Sequence, residues 1–98
     1  MPTALRSPRR PSPADALKRL QALPWIGPAS AADLVRLGFR EPADLKGQDP
    51  IALYRRLERI TGLRQDPCAL DTFACAIYHA EHPYAKPRPW WEWSRARK

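Results

Sequence analysis

Proline recurs along this chain at places where only a helix start tolerates it well: Pro13 behind Ser12, Pro42 behind Glu41, Pro50 behind Asp49 and Pro67 behind Asp66. Proline fixes φ near the helical value and has no N–H, so it fits the first helical position, where that donor would be unbonded in any case. In three of the four pairs the preceding residue, Ser12, Asp49 or Asp66, is a type whose side chain accepts from the open amides of a first turn. Asp15, three residues after Ser12, adds a capping-box-like carboxylate. Together with stops at Gly38, Gly47 and Gly62, these starts mark five helical segments, over about 13–22, 28–37, 42–46, 50–61 and 67–82. No useful stretch alternates with period two, which argues against a sheet. The predicted fold class is all-α.

The link between the first two segments carries the most specific local pattern. Leu20 and Leu23 end one helix on a single face, Pro24 to Gly27 make a short turn, and Ala31, Ala32 and Leu34 open the next helix with small residues that permit close backbone approach. Gly27 is the residue expected to take the left-handed conformation of a tight turn. This spacing is the signature of a helix-hairpin-helix, used in many proteins to hold a nucleic-acid backbone and in others as a plain structural hairpin. A weaker echo, Leu57, Ile60, Gly62 and Leu63, leads into the last segment. The two hairpins with their short connector predict a compact five-helix double helix-hairpin-helix (SAM-like) domain with basic, flexible termini. Its expected limits are 13–85, between a disordered basic tail over 1–12 and a Trp-rich basic tail over 86–98 that is partly docked.

Charge refines this reading. The net charge of +7 lies at the ends, because residues 13–85 hold nine basic and nine acidic side chains. A polyanionic partner is implied, with weak and salt-sensitive binding, since a neutral body must rely on its tails or on a local patch. Ninety-eight residues make one small domain, too small for a large enclosed active site. No apolar run approaches the eighteen or so residues of a membrane span, and no apolar segment follows the N-terminal arginines as an export signal would require. A cytoplasmic monomer with reduced cysteines, Cys68 and Cys75, is expected.

Beyond the hairpin the chain resembles the small bacterial pathogenicity-locus family, whose members are also labelled mitomycin-resistance-like. The resemblance rests on Leu-Pro-x-Ile-Gly at Leu23 to Gly27, on Arg-Leu-Gly-Phe-Arg from Arg36 with Ala-Asp-Leu-Lys-Gly closing at Gly47, and on Leu-Tyr-Arg-Arg-Leu at Leu53 to Leu57. It continues through Thr61-Gly62 and Asp66-Pro67-Cys68 to the tryptophans at 90, 91 and 93, and so covers about 14–94. It implies a helical fold and a bacterial intracellular setting. DNA is implied as a partner only through the wider helix-hairpin-helix group, and no reaction is implied.

In that wider group the DNA-binding turn reads glycine, apolar, glycine, often with a lysine two positions on, and its backbone amides meet a phosphate at a helix N-terminus. Here Trp25 stands at the first glycine and Ala29 at the lysine, so the turn residues to weigh are Trp25 and Gly27. The second turn, at Gly62, is the more basic: Arg64 follows it, and Arg55, Arg56 and Arg59 lie on the helix before it. Solvated surface arginines are the bland alternative. Cys68, near a helix start, is a candidate reactive thiol opposed by Asp66. On a helical wheel Thr72, Cys75, His79 and His82 share a stripe opposite the apolar face, which suggests a helix covered on both sides, with too few ligands for a metal. In the tail, Arg88, Trp90, Trp91 and Trp93 form an interaction strip that either folds onto the body or stacks on bases or a protein groove. No catalytic constellation, cofactor motif or metal-ligand spacing is present. The expected function is a non-catalytic, sequence-independent DNA-binding accessory protein. The alternatives are a protein-interaction adaptor and a thiol or redox role through Cys68.

Overall fold

The computed structural model describes residues 11–97, so the tail expected over 1–12 lies almost wholly outside the described residues. The described chain folds into α1 (Pro13–Leu20), α2 (Pro28–Arg36), a 3-10 turn (Pro42–Leu45), α3 (Pro50–Thr61), α4 (Pro67–Glu81) and α5 (Trp91–Arg97). There is no strand among the described residues, and the class is all-α.

Each proline pair begins an element, and the caps form as their chemistry requires. Ser12 Oγ accepts from the Asp15 N–H at 3.2 Å, Asp49 Oδ1 from Ile51 at 3.0 Å and Asp66 Oδ1 from Cys68 at 2.8 Å. At the 3-10 turn the work falls instead to Asp44, whose Oδ2 accepts from the amides of Arg40 and Glu41 at 3.0 and 3.3 Å. The stops are equally local. Gly38, at φ +102°, donates to the Val35 carbonyl, and Phe39 donates to Leu34, the paired bonds of a Schellman termination. Two guanidinium groups then cover the negative end of α2: Arg40 Nη1 donates to the Val35 carbonyl at 3.2 Å, and Arg56 reaches across from α3 to the carbonyl of Leu37.

The core gathers Leu20, Leu23 and Ile26 of the first hairpin, Leu34 and Leu37 of α2, Leu45, the α3 pair Leu53 and Leu57, and Phe73, Ala76, Ile77 and Ala80 of α4. Helix α4 is the hub against which α3, the 3-10 turn and α5 all pack, while α1 packs on α2. Ile60, at helical spacing from Leu53 and Leu57, is 49% exposed while they are buried. It shares their face, but in the last turn of α3 that face has already run past the packed core. Helix α5 lies outside the five expected segments. Seven residues are too few to hold a helix by propensity alone, so its contacts with α4 sustain it.

Phe73 is 1% exposed at the centre of this packing. Its truncation in Phe73→Ala is expected to lower the unfolding free energy by about 3–5 kcal/mol, read as a fall in the urea midpoint without loss of two-state behaviour.

Candidate functional site

The first hairpin turn is built differently from the sequence expectation. Leu23 and Ile26, both buried, anchor it through backbone bonds from Leu23 to the Leu20 carbonyl and from Ile26 to the Leu23 carbonyl. The left-handed residue is Trp25, at φ +67°, and not Gly27, which sits at φ −90° and ψ −175°. The reason is the role of Gly27 as N-cap of α2, a position that needs extended backbone. Chain reversal therefore falls two residues earlier, on a side chain that disfavours left-handed backbone by about 1–2 kcal/mol. The Trp25 ring remains 49% exposed and meets Trp91 of α5 edge to face, with centroids 4.9 Å apart.

The two hairpins present different helix starts. At α2 no side chain among the described residues accepts from the first-turn amides and no acid lies in that turn, so the N–H groups of Ala29 and Ser30 carry no side-chain cap beside exposed Gly27. At α4 the equivalent donors are already taken. Asp66 accepts from the Cys68 backbone N–H and from its thiol, and both bonds hold the Asp66 carboxyl below its ordinary range. An anion arriving at α4 meets a carboxylate. Cys68 is exposed, but the same neighbouring carboxylate works against a thiolate there, which weakens the redox reading.

The basic residues of the second half separate in the same way. Arg55 and Arg59 are exposed one turn apart on α3, and Arg64 is exposed in the following turn, where Gly62 is left-handed at φ +70°. Arg56 is exposed in part but tied to α2 through the Leu37 carbonyl. Three of the four candidate arginines are thus exposed without such a tie to the backbone of another helix among the described residues, and the fourth is a structural clamp.

The chain beyond α4 returns across it as a strap. His79, 3% exposed, bonds Nδ1 to the Cys75 carbonyl at 3.0 Å, and its Nε2 lies 3.0 Å from the Arg88 amide nitrogen. A backbone amide only donates, so Nε2 is the acceptor and Nδ1 carries the proton, which makes this a neutral ring. Burial holds the His79 pKa below its ordinary value. The Arg88 charge acts in the same sense, and the bond to the Cys75 carbonyl counters them. The Cys75 thiol points at the Arg88 carbonyl, 3.4 Å away, and burial pushes its pKa up to about 12. The Arg88 guanidinium lies over the rings of Tyr78 and Trp93, at 5.0 and 4.6 Å, and pairs with Glu92 at 2.8 Å. Trp90 is half-buried and meets Trp91 edge to face at 5.9 Å. The stripe of Cys75 and His79 is therefore covered by the strap, whereas Cys68 and His82, at its two ends, are exposed. Among the described residues no three His, Cys, Asp or Glu side chains gather as a metal shell, and no helix is long and apolar enough to cross a membrane.

Comparison with known proteins adds kinship. A family model described as pathogenicity locus matches residues 13–98. The chain is 40% identical over 79 residues to the Mitomycin resistance protein McrB of Streptomyces lavendulae, spanning 81% of this chain and 73% of that one. No solved structure matches.

Two outcomes follow from the strap. His79 is held neutral in the fold, so the unfolded chain takes up its proton first as pH falls. Its stabilising contribution is complete above the ordinary His value of 6.5 and declines as pH drops from there through the depressed folded value. Thermal melts across pH 4–8 are expected to show this decline, and His79→Gln to flatten it. At pH 7.5 a thiol reagent is expected to modify Cys68 in the native protein and Cys75 only on unfolding, as counted by intact mass.

Proposed function

The chain belongs to the pathogenicity-locus family, and on that footing we propose that it is a non-catalytic DNA-binding accessory protein, a cytoplasmic monomer that holds backbone phosphate without reading sequence. The observation that carries this reading is the open start of α2. Among the described residues, α2 is the one of the helices α1 to α4 with no side chain on its first-turn amides, and a helix N-terminus without a cap favours an anion through both hydrogen bonding and the dipole. No acid occurs in the sequence from Ala16 to Ala32 while Lys18 and Arg19 do, and Arg19 stands 3.9 Å from the Glu41 carboxylate. Arg55, Arg59 and Arg64 supply a second, side-chain contact. Amides and guanidinium groups meeting phosphate oxygens position a duplex without reading base edges.

A protein-interaction adaptor is the second reading, favoured by Ile51, Ile60 and Leu63, which are 50%, 49% and 66% exposed on the second hairpin. The two readings differ in their response to salt. Phosphate contacts weaken steeply as counterion release loses its drive, whereas an apolar interface does not.

Gly27 offers a clean test because its backbone is ordinary and a Cβ there would meet nothing within 4 Å. Gly27→Asp would cap α2 with its own carboxylate, which is expected to leave stability unchanged or raised by a few tenths of a kcal/mol. DNA affinity of the full chain, measured across a salt series, is expected to fall about tenfold or more in Gly27→Asp and to hold in Gly27→Ala. Equal binding by both variants would remove the first hairpin as the phosphate contact.

A further inference from the structure

We infer that Trp25 and Trp91 together form a stacking notch for an unpaired nucleobase, so that the DNA taken by this protein is single-stranded or carries a single-stranded end. The inference rests on the DNA reading above and specifies the form of the ligand. Its starting point is the placement of a large ring where the backbone does not want one. Trp25 occupies a left-handed position at which glycine would be the easier residue, and its ring is not buried as recompense, being 49% exposed. Trp91, 40% exposed, meets it at an interplanar angle of 71°, so the two rings form a corner and not a closed stack. A corner of this kind can take a flat ligand on one ring while the other borders its edge.

The charge around the corner selects among flat ligands. Lys18 and Arg19 are exposed in the last turn of α1, Arg19 standing 3.9 Å from the Glu41 carboxylate, and Arg95 is exposed one turn beyond Trp91 on the same face of α5. The acid of that helix, Glu92, is already paired with Arg88. The corner is therefore aromatic with the exposed Arg95 cation one helical turn from Trp91, and a nucleobase attached to its phosphate chain matches both properties. A duplex offers its phosphates but keeps its base faces stacked, so it can use the amides and arginines and not the corner. An apolar protein segment is the poorer occupant. The exposed residues beside the turn are small or polar, Gln21, Ala22, Gly27 and Ala29, while the larger exposed aliphatics Ile51, Ile60 and Leu63 belong to the other hairpin.

The strap gives the corner its persistence. Trp91 is held near Trp25 because the preceding residues are tied to α4 through Arg88 and His79. The same ties leave Trp93 occupied against Tyr78 and Arg88, so it is not part of the notch.

The test uses the full chain and three ligands of equal length at one salt concentration: a labelled oligo(dT) strand, the corresponding abasic strand and a blunt duplex, with binding read by fluorescence anisotropy. Wild-type protein is expected to bind oligo(dT) about tenfold more tightly than the abasic strand, within the range of one stacked base. Trp91→Ala is expected to bring oligo(dT) down to the abasic level while duplex binding changes less than twofold, Trp91→Phe to retain most of the preference, and Trp25→Gly to abolish the preference for oligo(dT) over the abasic strand. Equal wild-type binding to oligo(dT) and to the abasic strand overturns the notch and leaves the DNA reading standing, and that comparison needs no variant to fold. Unchanged oligo(dT) binding in folded Trp25→Gly and Trp91→Ala also overturns it. No binding to any of the three ligands overturns both readings.

Discussion

Helix α4 has to be buried on two sides, and most of the architecture follows from how that is done. One side, Phe73, Ala76, Ile77 and Ala80, is apolar and is met by the two hairpins and the 3-10 turn. The other carries Cys75 and His79, and a buried imidazole must have both nitrogens satisfied or it destabilises the fold. The helix satisfies one nitrogen itself, through the carbonyl four residues back, and takes the other partner from the returning chain, the amide of Arg88. That single bond fixes where the strap crosses α4. From there Arg88 settles between Tyr78 and Trp93, Glu92 closes on its guanidinium, and α5 begins at a point that brings Trp91 to the first hairpin turn. A histidine in the last turn of α4 thus sets the surroundings of a turn some fifty residues earlier in the chain.

The two helix pairs, α1 with α2 and α3 with α4, differ in the chemistry of their links. Each link contains one left-handed residue, Trp25 in the first and Gly62 in the second. The second is closed: Gln65 donates its amide to Glu58, its carbonyl takes the Tyr54 hydroxyl, and Asp66 fills the start of α4. Its polar groups are used internally, and what it offers outward is side chains, Arg64 and the arginines of α3. The first is open at the same place. Gly27 has no side chain to turn back on α2, and the amides behind it have no side-chain cap among the described residues. If both halves contact one polyanion, they do so by different means, the first through backbone donors and the second through guanidinium groups.

Much of the fold was legible because its signals are local. Proline behind Ser or Asp marks α1, α3 and α4 to the residue, since ring geometry and capping act within one turn, and Gly38 and Gly62 end helices where left-handed backbone is needed. What escaped the sequence depends on partners far along the chain. Nothing near Arg56 indicates that it reaches the Leu37 carbonyl, so it reads as one more surface arginine. Helix α5 is too short to declare itself, although Arg88 and Glu92 at helical spacing, next to paired tryptophans, are a faint sign of it. The wheel of α4 does signal a second covered face, because cysteine and histidine share a stripe opposite the core. The turn was misread at one residue for a specific reason. Glycine can adopt left-handed backbone, but Gly27 is also the residue before a helix-starting proline, and that second role demands extended backbone.

Placing tryptophan where a phosphate-binding turn carries glycine changes the balance of forces available to this surface. A glycine lets a sugar-phosphate backbone approach the main chain closely, and a Cβ with an indole keeps it further off. Helix amides contribute partial charge only, so the salt-dependent part of any DNA affinity of the body rests on the few guanidinium groups that meet phosphate. Ring stacking does not draw on net charge and acts over the distance of direct contact. A neutral domain that keeps one open set of amides beside an exposed aromatic corner is therefore better suited to a strand whose bases are accessible than to the uniform surface of a duplex, where it would compete poorly with proteins that carry their charge on the fold itself.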